Sequence, residues 1–230
     1  RVEDAAGTGS AEQRVKEQDM DGMEAEILFP AMVAGPVFWR NISHDEVYKA
    51  VIRAYNDWLG EEYCAVAPDR LIGMGVMPIT NLDDAIVEMQ HCAKLGLKGI
   101  QLGALPNAKG YPTPEDDKFW AAAVDMDMPV TVHVAFNRTG AGASQPTFKY
   151  PKEDPEVMRR IRRPFLEWIT NFGLAPSISI AQLVLAGVLE RFATLKVFFA
   201  ETRVGWVPFW LEQADLWYQR HIGWAEDQLG

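Results

Sequence analysis

The chain reads as an α/β protein of the (β/α)8 TIM-barrel type, and three observations lead there. Five short apolar runs recur along it: Ala25–Phe29, Leu71–Met77, Gly99–Leu102, Pro129–Phe136 and Leu195–Ala200. Between them lie segments whose apolar residues fall three and four apart, the period of a helix with one face buried. Pro, Gly and Asn punctuate the joins. Strands that alternate with helices build βα units and therefore a parallel sheet.

Taken in order, a helix is expected over Ala11–Asp21, then the Ala25–Phe29 strand, stopped by Pro30. Ser43-His-Asp-Glu46 has the spacing of a capping box, in which a serine hydroxyl and a glutamate carboxylate satisfy the first free amides of a helix. The helix it opens carries Val47, Val51, Ala54 and Trp58 on one face and ends before Pro68. After the Leu71–Met77 strand, Asn81 is placed to cap a helix carrying Ile86, Met89, Ala93 and Leu95, with Gly96 at its end. Gly99–Leu102 is a short strand. Thr113-Pro114 supplies a cap and a first-turn proline for Glu115–Met126. Beyond Pro129–Phe136, the long Gly-, Ser- and Pro-containing stretch Asn137–Pro151 reads as a lid or an insertion. Asp154-Pro155 opens a helix to about Phe172, Ile178–Phe192 is another, and Trp206–Ile222 follows the last strand.

Composition narrows the function classes. The 230 residues are 48% hydrophobic, with eight Trp and eleven Phe, enough for one sizeable core, and residues 1–230 read as a single domain. A net charge of −10 favours solubility and argues against a nucleic-acid surface; Arg159, Arg160, Arg162 and Arg163 fit a solvated helix face. No apolar run reaches the ~20 residues of a membrane span. Cys64 and Cys92 each lie in a helical pattern outside any Cys-x-x-Cys pair, as small buried hydrophobes of a reducing cytoplasm do. The chain has no Gly-x-Gly-x-x-Gly, Walker motif or Gly-x-Ser-x-Gly elbow, which disfavours nucleotide cradling and serine-hydrolase chemistry.

One residue breaks the apolar pattern. In Pro129–Phe136, Val130, Val132, Val134 and Phe136 share one face, while Thr131, His133 and Ala135 share the other. A helix-covered face opposite a small or polar one suits a barrel strand. A histidine near its C-terminal end then sits where such barrels build their sites; the alternative is a core histidine bonded to its neighbours.

Tyr55–Leu59, Ala67–Gly73, Gly96–Ile100, Pro129–Phe136 and Glu190–Lys196, the last leading into Phe199-Ala-Glu-Thr-Arg-Val-Gly-Trp-Val-Pro208, resemble in content and order the amidohydrolase-related family. This branch of metal-dependent TIM-barrel enzymes includes non-oxidative decarboxylases. The resemblance runs from about Glu12 to Asp215. It implies a divalent metal, usually zinc, held by a His-x-His pair on the first strand, a histidine on the fifth and an aspartate on the eighth. His133 matches the fifth-strand ligand, and imidazole suits zinc. The sequence contains no His-x-His, and Asp215 and Asp227 are not introduced by a strand. The chain therefore reads as about strands two to six of an incomplete barrel, with metal absent or weakly held.

Where the decarboxylase members often carry a histidine, at the end of the sixth strand, this chain has Glu201, a candidate general base or a salt-bridge partner of Arg203. That substitution leans the reading toward a hydrolase acting on a small carboxylated or cyclic substrate. The alternatives are a catalytically incompetent fragment or degenerate member, and a decarboxylase of the same family. Gln101 lines a pocket or makes a structural hydrogen bond; Arg203 is a candidate for binding substrate. His44, His91 and His221 read as surface residues, and Trp206, Trp210 and Trp217, four and seven apart, as core or interface packing. Open sheet edges and an uncovered inner face predict a homo-oligomer.

Overall fold

A computed structural model describes residues 7, 9–30, 39, 42–105, 107, 109, 111–133 and 176–229. Five strands form one sheet: β1 (Glu26–Leu28), β2 (Leu71–Val76), β3 (Gly99–Leu102), β4 (Val130–His133) and β5 (Val197–Ala200). They lie in chain order, and every neighbouring pair is parallel. A doubly wound sheet reverses its strand order at a switch point, whereas a barrel wall does not. The unbroken order is that of a barrel wall, as the sequence predicts.

The helices are α1 (Ala11–Asp21), α2 (Asp45–Asp57), α3 (Leu82–Lys94), α4 (Asp117–Asp125), α5 (176–185), α6 (Val188–Arg191) and α7 (Trp206–Leu229). Most of their ends follow the expected cap chemistry. Ser10 Oγ accepts from the Gln13 amide at the start of α1, and Asn81 Oδ1 accepts from the Asp84 amide at 2.8 Å at the start of α3. Gly96, at φ +81°, closes α3 in the left-handed region that glycine enters without penalty. Asp116 accepts from the Thr113 amide at 2.7 Å, so the turn Pro114–Asp116 leads into α4.

Three expectations are corrected. The Ser43–Glu46 capping box does not form: His44 is the cap residue of α2 with no side-chain bond, and the Glu46 carboxylate lies 2.8 Å from Lys49 Nζ. Its competing partner is a cation one turn on. The helix expected over Ile178–Phe192 is broken at Gly187, whose φ of +65° separates α5 from α6. The last helix runs past Ile222 to Leu229, with non-helical φ/ψ at His221. Val134–Phe136, the Asn137–Pro151 stretch and the helix through the Arg159–Arg163 cluster lie outside the described residues. No helix among the described residues is long and apolar enough to cross a membrane.

The sheet has two chemically distinct faces. Ile100, Leu102, Val130 and Val132 are buried in the main apolar core with Phe119, Trp120 and Met89 from the helices. On this side α2, its continuation through Trp58–Tyr63 and Cys64–Val66, and α3 press against β2 so closely that only glycine fits. A Cβ on Gly73 would meet Cys64 Sγ at 2.8 Å, and one on Gly75 would meet Cys92 Sγ at 2.5 Å. Both cysteines are free and buried, as expected, and burial pushes the Cys64 thiol up to about 11 and Cys92 higher still. The opposite face carries Met74, Gly99, Gln101, Thr131 and Phe198, none of them in that core.

One side chain joins these parts. β1 pairs with β2 only as far as Gly73, which leaves the edge of β2 open beyond it. Asn56, fully buried on α2, closes it. Its Oδ1 accepts from the Val76 amide at 2.8 Å, and its Nδ2 donates to the Val76 carbonyl at 2.9 Å and to Glu88 Oε1 at 2.8 Å. Arg53 Nε donates to the other Glu88 oxygen at 2.7 Å. The amide thus takes a strand partner's place at Val76 and ties α2, β2 and α3 together. Asn56→Ala strands the Val76 amide and carbonyl, each costing about 1–3 kcal/mol when buried unpaired. We expect a loss of about 3 kcal/mol, read as a lower denaturant midpoint at unchanged slope; a loss below about 0.5 kcal/mol contradicts the role.

Candidate functional site

The residues singled out in the sequence lie at or near the same end of the sheet. His133 is the last residue of β4 and stands in register with Ala200, the last residue of β5. Glu201 follows directly. Gln101 lies on β3, in register with Val76 on one side and Thr131 on the other. The four predicted positions, His133, Glu201, Gln101 and Arg203, therefore fall on three adjacent strands and the turn that leaves the last of them.

That turn is strained. Glu201 at φ +57° and Arg203 at φ +60° are both left-handed, a conformation that costs an L-residue about 1 kcal/mol. Non-glycine residues persist there only when their surroundings over-determine them. The determinant is Trp206. Its indole Nε1 donates to the carbonyls of Thr202 at 3.0 Å and Arg203 at 3.2 Å from the first turn of α7. Thr202 is buried and anchors the segment, leaving the Glu201 and Arg203 side chains exposed. Trp206 therefore holds the site's geometry, a role its helical spacing alone does not reveal.

Of the two roles open to Gln101, the structure bears on one. The structural hydrogen bond is not made by its Oε1, which is buried without a partner, and Thr131 Oγ1 beside it is in the same condition. Thr131, the register partner of Gln101, is a candidate the sequence reading passed over; its period-two place with His133 was the available signal. Of the other histidines, His44 and His221 are exposed, as expected. His91 is not a bare surface residue: its Nε2 pairs with Asp57 at the end of α2, 34 positions away. Trp217 is half exposed, stacked on His221, and not in the core.

A tight zinc centre takes three or four protein donors. Among the described residues no three His, Cys, Asp or Glu side chains come together, so these residues do not by themselves make such a centre.

Comparison with known proteins adds the following. The amidohydrolase family model matches residues 4–228. Over 190 residues the chain is 23% identical to 2-amino-3-carboxymuconate-6-semialdehyde decarboxylase of Dictyostelium discoideum, covering 81% of this chain and 46% of that protein. Over 130 residues it is 32% identical to gamma-resorcylate decarboxylase of Rhizobium sp., covering 52% of this chain and 37% of that protein. The chain thus spans about half the length or less of these curated relatives. Among solved structures it shares the fold of 5-carboxyvanillate decarboxylase from Novosphingobium aromaticivorans, complexed with manganese and 4-hydroxy-3-methoxy-5-nitrobenzoic acid. The TM-score is 0.64 at 20% identity, over 93% of this chain and 55% of that one.

Replacing the indole with a ring that cannot donate tests the turn. Trp206→Phe keeps the packing and removes both carbonyl contacts. We expect a loss of about 1 kcal/mol and faster proteolytic cleavage after Arg203. Cleavage at the wild-type rate contradicts the clamp.

Proposed function

Because the chain belongs to the amidohydrolase family, we propose that its site serves non-oxidative decarboxylation of a small carboxylated, hydroxyl-bearing substrate, and not the hydrolysis toward which Glu201 first leaned. The relatives named above support the change, since both curated ones are decarboxylases. The observation that supports the reading is the placing of positions 133 and 201 at the ends of neighbouring strands, through the His133–Ala200 register.

Decarboxylation breaks a C–C bond, releases neutral carbon dioxide and leaves the bonding pair on carbon, which must take up a proton. Glu201 is assigned to handle that proton, on a turn whose backbone is fixed before substrate arrives. Arg203, exposed on the same turn, is assigned to the substrate carboxylate. A divalent ion in the whole protein would take His133 as one of its ligands. Manganese accompanies the similar structure and zinc is implied by the family resemblance; the assignments to Glu201 and Arg203 depend on neither. Residues 1–230 are assigned to one domain in a cytoplasmic protein, a location that suits two free buried thiols.

Incubated with manganese, the protein should convert 2,6-dihydroxybenzoate (gamma-resorcylate) to resorcinol and carbon dioxide, followed by chromatography. Glu201→Gln should slow it by roughly a hundredfold or more. His133→Ala should do likewise and reduce bound manganese. Hydrolysis of amide or lactone substrates, with no carbon dioxide from any aromatic carboxylate, would reverse the assignment.

Self-association belongs to the same reading. Val204, Phe209, Leu211, Trp217 and Tyr218, on and beside α7, are each at least half exposed, large apolar side chains of the kind an interface covers. Sedimentation equilibrium at micromolar concentration should show a dimer or larger species, and a well-behaved monomer argues against it.

A further inference from the structure

Five buried side-chain atoms among the described residues lack a hydrogen-bond partner: Gln18 Oε1, Gln101 Oε1, Asp116 Oδ1, Trp120 Nε1 and Thr131 Oγ1. Three of them are scattered over α1 and the start of α4. The remaining two differ, because Gln101 and Thr131 are register partners on adjacent parallel strands. Such strands run about 4.8 Å apart, and register partners present their side chains to the same face. That face is the one turned away from the helix-packed core. Thr131 is completely buried, whereas Gln101 is only partly so. Both oxygens are shut off from solvent, and Gln101, one residue before the end of β3, is the more exposed of the two residues. One residue beyond β3 there is open room: a Cβ on Gly103 would meet nothing within 4 Å.

The chemistry of the two oxygens selects the ligand group that would complete them. An amide Oε1 only accepts, and a hydroxyl can accept and pass its own proton on. A carboxylate approaching Gln101 Oε1 would set lone pair against lone pair. The register row Val76–Gln101–Thr131–Phe198 contains no charged residue to offset that. A ligand O–H meets both needs, donating its proton to Gln101 Oε1 while its oxygen accepts from the Thr131 hydroxyl. Buried polar atoms are nearly always paired in native proteins, and leaving this pair open is what a site does when its partner arrives with the ligand.

We propose that Gln101 and Thr131 form a donor-reading subsite that accepts an uncharged hydroxyl of the bound ligand and turns its carboxylate away from the middle of β3 and β4. The subsite rests on the reading above that a small carboxylated molecule binds at the strand ends. It adds a polarity to that site: hydroxyl inward at Gln101 and Thr131, carboxylate outward toward Arg203.

The test compares benzoate with 3-hydroxybenzoate and 4-hydroxybenzoate, titrated calorimetrically into the full chain. Wild type should bind the better hydroxybenzoate about tenfold more tightly than benzoate, the worth of one good neutral hydrogen bond. Gln101→Met should remove that preference by weakening the hydroxybenzoate alone. Because it deletes an unpaired acceptor, its melting temperature should stay level or rise. Thr131→Val, a near-isosteric change, should reduce the preference independently. If the preference survives in both variants, or if wild type binds benzoate and both hydroxybenzoates alike, the subsite is overturned while the site reading stands. If none of the three ligands binds wild type at all, the site reading falls, and the subsite with it.

Discussion

The open edge of β2 is the constraint around which the described part of this molecule is organised. A strand paired with β1 only as far as Gly73 presents unsatisfied backbone groups to whatever lies beside it. In the interior each such group is expensive. The Asn56 amide is the right size and polarity to take both from Val76, and in doing so it fixes how far along the strand α2 must sit. Glu88 then holds the amide's remaining hydrogen and draws Arg53 in from the rim. Positions that look independent in the sequence become one bonded unit. The close seats of Cys64 and Cys92 over Gly73 and Gly75 complete the same packing from the apolar side.

Much of this was legible in advance, for local reasons. Short apolar runs between helical periods marked the strands to within a residue or two at most described ends. Asn81, Gly96 and Thr113 stated where helices begin and end, because caps act within one turn of themselves. Failures came where a local signal had a rival. Ser43 and Glu46 have the spacing of a capping box, but Glu46 pairs with Lys49. Val188 continues a helical pattern, but Gly187 adopts a left-handed conformation before it. His91 reads as a surface residue on its own helix, and its partner Asp57 belongs to another.

The site was legible as positions and not as interactions. Period and register bring His133, Gln101 and Glu201 to one end of neighbouring strands. What no pattern announced was the state of their surroundings: that Gln101 and Thr131 lack partners, and that the turn after β5 is held by an indole from α7. Pairing across strands, and its absence, depends on atoms that come together only after folding.

The Trp206 clamp has a consequence for how such a site changes over generations. Its bonds go to main-chain carbonyls, which every amino acid carries in the same place. The identities at 201 and 203 are therefore uncoupled from the shape of the turn, within the modest penalty of a left-handed backbone. A glutamate can be exchanged there for a histidine or an amide without rebuilding the loop that presents it. Chemistry at the mouth of the sheet can drift while its frame stays put, and the residue that guards the frame has no need to touch the reaction.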